Sequence, residues 1–292
     1  MKAHLGLLGT NLFFAINYSA VKYFTSHHLS GPLAINLIRI GISGILFWCL
    51  FLFDRPKKKI EKKDIPALMI CALMAIAINQ MLFLKGLAFT FPIHAALLTL
   101  ITPILITIIA ARVLKEKITA AKTLGLILGI TGAALLVGSR EAVVPGDNTI
   151  LGDSLIILSS VAYTFYFILV KPLMKKYSAI QVVRWIFTFG FLMILPFCFH
   201  EFEGIKWQLF SSGDWFFLFL IVVPGTFFAY VFNLFGIQKL SASLAGTYIY
   251  SQPVFAVIIA MIFLKEEFSV YKMTAGFLIA MGVYLSNRKK DG

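Results

Sequence analysis

Charge is scarce in this chain: Asp, Glu, Lys and Arg together make up 13% of 292 residues, about half the share found in a soluble domain. Hydrophobic residues supply 60%, and phenylalanine alone occupies 29 positions. That balance excludes an ordinary water-soluble fold and predicts an all-α integral membrane protein whose surroundings are the lipid bilayer. Cysteine is nearly absent as well. Cys49, Cys71 and Cys198 each stand alone in an apolar run, which excludes a disulfide framework and reads as small core residues. There is no HExxH, no GxSxG and no pair of mid-span Asp residues, so the signatures of an intramembrane enzyme are missing. No metal-ligand pair occurs either, and no metal or cofactor is expected. The net charge of +13 lies in the connections between apolar runs and requires no nucleic-acid partner. The N-terminal apolar stretch lacks a small-residue cleavage site and is long enough to span, so it reads as a helix rather than a signal peptide.

What is present is a duplication. At an offset of 150 residues, Asp64 meets Asp214, Gly86 meets Gly236, Ala95 meets Ala245, Pro103 meets Pro253 and Gly132 meets Gly282. The clearest block is TPILITIIAARVLKEK (102–117) against QPVFAVIIAMIFLKEE (252–267). Ten spans follow, at 5–25, 31–53, 65–87, 94–114 and 119–138, then 151–171, 180–200, 214–237, 244–264 and 269–287. The repeats are therefore 1–138 and 151–292, with five spans each. An odd number of spans makes the copies face opposite ways, which is a mark of secondary transporters.

Loop charge sets the orientation. With both termini in the cytoplasm, the inner segments hold 18 Lys and Arg and the outer segments 5, as the positive-inside rule requires of a cell-membrane protein.

The paired segments FLKGLAFTFPIHAALLTLITP…LKEK (83–117) and NLFGIQKLSASLAGTYIYSQP…LKEE (233–267), within a five-plus-five arrangement, resemble EamA-type members of the drug/metabolite transporter superfamily. The resemblance covers nearly the whole chain. It implies export or exchange of small metabolites, often amino acids or related compounds, and leaves the substrate unidentified. Two other classes stay open: a receptor or assembly factor that binds without translocating, and a channel. A channel is expected to build its filter from symmetric subunits, whereas this chain encloses its own pseudosymmetry.

A transport site needs polar side chains turned inward, because they are costly in lipid. Tyr248, Ser251, Gln252 and Phe255 recur at i, i+3, i+4 and i+7 on the ninth span, which places them on one face. Thr226, Tyr230 and Asn233 share a face of the eighth, and Ser159, Tyr163 and Tyr166 a face of the sixth. The first span offers Asn11, Asn17 and Tyr18, the third Asn79 and Gln80, and the fourth His94, Thr99 and Thr102. These faces suit a pocket in which rings pack a ligand's body and amides orient its polar end. With the family resemblance, they predict a central cavity lined by spans one, three, four, six, eight and nine. The competing reading is hydrogen-bonded glue between helices. Tyr250, on the opposite side of the ninth span, reads as packing or lipid interface.

Arg39 lies about 12 Å inside the second span at 1.5 Å per residue. It either meets an anionic substrate group or braces the carbonyls of a broken helix. Arg184 and Lys85, nearer span ends, read as snorkelling cations. Every carboxylate falls in a loop, a tail or a span end; Glu116, among Lys115, Lys117 and Lys122, reads as a surface ion pair. Pro103 and Pro253 fall mid-span and predict kinks that act as hinges or as fixed bends. Gly125, Gly129 and Gly132 in the fifth span, with Gly276, Ala280 and Gly282 in the tenth, are spaced for close helix contact. That contact forms either within one chain or across a homodimer.

Overall fold

The computed structural model describes residues 2–26, 30–53, 59–89, 98–138, 149–252, 254–255, 258–259 and 270–287. Among them are ten helical spans and no strand. In hydrocarbon every peptide group must find its partner within the segment, and the helix is the solution open to a single span. The first span is Lys2–Ser26 and the second Pro32–Phe53; the third runs through Ile65–Ala72, a π-helical stretch Leu73–Ile78, and Asn79–Phe89. The fourth contains Ile101–Val113, and the fifth is Ala120–Gly138. The sixth is Thr149–Lys176 and the seventh Ala179–Glu203; the eighth runs through Ser212–Val222, a second π-helical stretch Val223–Phe228, and Ala229–Lys239. The ninth begins with Ala242–Thr247 and a tighter turn Tyr248–Tyr250, and the tenth is Val270–Asn287. The two π stretches begin at residues 73 and 223, the same offset of 150 seen in the sequence.

The halves interlock rather than sit side by side. The first span packs along the eighth, and the sixth along the third, so each half lends its opening helix to the other. Gly86 and Gly236 make both seams possible. A side chain at Gly86 would run into Gly152 and Ile156 of the sixth span, and one at Gly236 into Leu7 of the first. The second and seventh spans pair, as do the fifth and tenth. Gly125 and Gly282 face each other in that last pair with no room for a Cβ on either. The small-residue stripes thus meet within one chain. Tyr250 is buried against Gly129 in the same region, so it packs inside rather than at the lipid interface.

Acidic side chains fasten these seams at the helix ends. The Tyr177 hydroxyl donates to Asp64 at 2.6 Å and the Lys176 ammonium at 2.9 Å, joining the end of the sixth span to the start of the third. The repeat-equivalent Asp214 accepts from Tyr23 at 3.0 Å, joining the end of the first span to the start of the eighth. Glu201 accepts from the amides of Leu33 and Ala34 at 3.0 and 3.4 Å. Glu116 does the same for Ala242 and Ser243 at 2.7 and 3.2 Å. A carboxylate there satisfies orphan amides and opposes the helix dipole. Glu116 is therefore a helix cap, with Lys122 3.8 Å away, and not merely a surface ion pair. Arg184 departs from its snorkelling expectation too: it is buried, with its guanidinium 4.3 Å from the Trp48 ring centroid. Cys49 is exposed, whereas Cys71 and Cys198 are buried.

The Tyr177 hydroxyl, and after it the Lys176 ammonium, hold the Asp64 carboxyl below the ordinary carboxylate range. A depressed pKa contributes stability above the unfolded value, about 3.9, and that contribution is lost as pH falls through the folded value. Asp64→Asn is expected to melt lower than wild type at neutral pH in a detergent thermal-shift assay, with the difference shrinking below about pH 4. A constant difference across that range would refute the assignment. Gly282→Leu is expected to destabilise by about 1–3 kcal/mol or more, the usual effect of overpacking, read as a lower melting temperature.

Candidate substrate site

The site begins with a broken helix. Pro224 has no amide hydrogen to give the carbonyl four residues back, and the eighth span widens into its π stretch at this point. The carbonyls nearby need donors from elsewhere. Ile221 O accepts from Thr226 Oγ1 at 2.8 Å and from Asn17 Nδ2 at 3.1 Å. Val222 O accepts from Ser43 Oγ at 3.3 Å. Gly225 lies against Asn17 with no space for a Cβ, which is why the first span can approach so closely.

From Asn17 a polar network crosses the molecule. Arg39 donates through Nη1 to Asn17 Oδ1 at 3.3 Å, through Nε to Asn36 Oδ1 at 2.9 Å, and through Nη2 to Gln80 Oε1 at 2.6 Å. Gln80 Nε2 donates in turn to the Tyr230 hydroxyl at 2.8 Å. Gln80 and Tyr230 are repeat equivalents, 150 positions apart, so the network links the same place in both halves. The Phe187 ring meets Tyr230 edge-on at 4.8 Å, and Phe14 does so at 6.0 Å. Arg39 thus orients the side chain that caps the broken helix while holding its charge among neutral amides. Sequence reasoning missed Asn36, although its spacing of three from Arg39 already placed the two on one face.

A second cluster adjoins the first. Asn233 Nδ2 donates to the Tyr163 hydroxyl at 3.0 Å, and Tyr163 packs against Tyr166 with ring centroids 5.7 Å apart. Asn79 Nδ2 donates to Ser159 O at 2.9 Å. The Tyr166 hydroxyl and Asn36 Nδ2 are buried and meet no hydrogen-bond partner among the described residues. A buried donor left unsatisfied costs about 1–3 kcal/mol, so both are points where a bound polar molecule would be favoured.

Other expected residues lie elsewhere. Asn11 is buried and donates to Leu7 O of its own helix at 2.8 Å. Thr99 is half-buried at the start of the fourth span. Pro103 stands in the first turn of Ile101–Val113, just after a turn at Leu100. Helical residues 98 and 99 precede that turn, so the fourth span is interrupted beside this proline. Tyr248, Ser251 and Phe255 line a separate cavity of about 570 Å³ with the first and tenth spans, and Gln252 is half-buried beside them. The Tyr18 side chain, His94 and Pro253 lie outside the described residues. The described polar network is therefore built by spans one, two, three, six and eight, with the second span a contributor that the polar-face reading left out. No group of three His, Cys, Asp or Glu able to hold a metal occurs among the described residues.

Known proteins are similar to this chain. An uncharacterized transporter of Archaeoglobus fulgidus is 26% identical over 290 residues, covering 99% of this chain and 100% of its own. The uncharacterized transporter YetK of Bacillus subtilis is 25% identical over 252 residues, 85% of this chain and 76% of its own. A probable terminal-alkyne amino-acid exporter of Streptantibioticus cattleyicolor is 26% identical over 234 residues, 79% of this chain and 75% of its own. A solved crystal structure has the same fold, with a TM-score of 0.79 at 17% identity over 98% of this chain and 96% of that one. The sequence profile of the EamA-like transporter family matches residues 1–138 and again 150–288. The chain belongs to the EamA-like transporter family and is a multi-pass membrane transporter.

Proposed function

We propose that this transporter exports or exchanges small polar metabolites, amino acids or related compounds foremost, by alternating access to the Arg39 network. The observation that carries the reading is the guanidinium itself, on an apolar span and hydrogen-bonded to three neutral amide oxygens. A carboxylate offers Arg a charge-assisted, two-pronged partner that an amide cannot match. Intramembrane charges commonly mark substrate pathways. Tyr166 and Asn36 bring buried donors for a polar substrate, while Phe14 and Phe187 bring apolar contact. The relative named for amino-acid export supports this class of substrate.

Each repeat, 1–138 and 151–292, acts as one unit, with both termini in the cytoplasm on the strength of 18 inner against 5 outer cations. The π stretches and the prolines Pro103 and Pro253 are the places where the halves flex. A substrate carboxylate displaces Gln80 from Arg39, freeing Tyr230 and loosening the contact between the halves.

Counterflow of radiolabelled amino acids in proteoliposomes tests the site. Arg39→Lys keeps the charge but loses the fork, and is expected to slow uptake by about 10- to 100-fold, the weight of a hydrogen bond to a charged group. Saturable wild-type counterflow with normal flux in Arg39→Lys would remove Arg39 from the site. Binding without flux in the wild type would replace the carrier by a receptor. Tyr230→Phe leaves Gln80 Nε2 without its acceptor. It is expected to cost about 1–3 kcal/mol, read as reduced counterflow in protein that still elutes as a single folded species. Wild-type counterflow in this variant would take Tyr230 out of the proposal.

A further inference from the structure

The cavity of about 570 Å³ between the first, ninth and tenth spans shares no lining residue with the Arg39 network and has a different chemistry. Its walls are apolar, from Leu8, Val254, Phe255, Ile279 and Val283, and its polar groups gather around His4, Tyr248 and Ser251. His4 Nδ1 and the Tyr248 hydroxyl share a hydrogen bond of 2.6 Å. Tyr284 in its wall is 67% exposed and Ala280 is exposed beside it, and in a membrane-spanning bundle that exposure is to lipid. Among the described residues, a Cβ built on Gly276 would meet nothing within 4 Å.

Protein interiors are close-packed, and a dry apolar cavity of this size takes apolar occupants. Here the surrounding medium is hydrocarbon. The volume falls within the range of small-ligand sites. The polar end lies near the N-terminus of the first span, where Lys2 is exposed. The imidazole and the phenol set side by side offer hydrogen bonds to the two oxygens of a carboxylate head. We infer that this crevice binds a free fatty acid from the leaflet that the N-terminus meets, with its carboxylate on His4 and Tyr248 and its chain along the ninth and tenth spans. The site is independent of the transported substrate.

Photolabelling of the purified full-length chain tests this, using palmitic acid with a diazirine in its chain and palmityl alcohol carrying the same group, followed by peptide mapping. The acid is expected to label the first, ninth and tenth spans. Gly276→Phe fills open space, so it is expected to leave the melting temperature unchanged while cutting that labelling by at least about tenfold. Ala280→Phe, on the exposed side of the same helix, repeats the test if the first variant folds poorly. His4→Ala is expected to weaken labelling by the acid several-fold and leave labelling by the alcohol as it was. Labelling unaffected by these variants, or confined to other spans, overturns the inference. So does displacement of the probe by excess polar amino acids, which would make the crevice part of the transport path. Loss of counterflow in Arg39→Lys bears on the central site alone, so the two readings fail separately.

Discussion

Where the eighth span widens into its π stretch Val223–Phe228, the backbone ladder changes register inside an apolar span, and carbonyl oxygens beside it take side-chain donors. Water cannot make up the difference there, and an unsatisfied group costs several kcal/mol. Asn17 and Ser43 come from two other spans to meet Ile221 and Val222, with Thr226 helping from within the helix. Once Asn17 is committed through its amide nitrogen, its oxygen is available to Arg39, and Arg39 aligns Asn36 and Gln80. The polar centre is thus the consequence of a helix break. The same groups that repair the backbone create the surroundings in which a guanidinium can be held inside a membrane.

The duplication explains the frame around that centre. In lipid, apolar contact brings little net gain between helices, so association relies on close packing and on hydrogen bonds. Equivalent glycines at 86 and 236 allow the close approach, and equivalent carboxylates at 64 and 214 each take a tyrosine hydroxyl from the other half. Neither half would be complete alone, because its own opening helix packs in its partner. The copies have diverged at the polar centre. The proline of the second π stretch has no counterpart at Met74, and the pair Gln80 and Tyr230 places an amide against a phenol at one shared position.

Much of this was legible in the residues. Apolar composition and length dictated ten helices, since nothing else satisfies an isolated backbone in lipid. The offset of 150 dictated two opposed copies. Periodicity placed Asn17, Gln80, Tyr163, Tyr230 and Asn233 on inward faces, because a helix repeats its faces by geometry alone. Arg39 stood out because a cation so far inside a span needs a partner. Less could be read of the contacts: the stripe on the ninth span did not show that Tyr248 meets His4. Periodicity identifies a face and does not say which neighbour that face meets.

The sequence by itself therefore determined the medium, the number of spans, their duplication and the identity of most polar residues in the centre. Each follows from short-range rules of solvation and helical repeat. Tertiary structure alone decided that Asn17 repairs the eighth span, that Glu116 caps the ninth, that Arg184 lies under Trp48, and that Tyr248 turns toward His4. Those outcomes depend on how ten rods are rotated about their axes and set against one another. Such rotations are fixed by contacts between residues as many as 244 positions apart, which no local pattern encodes.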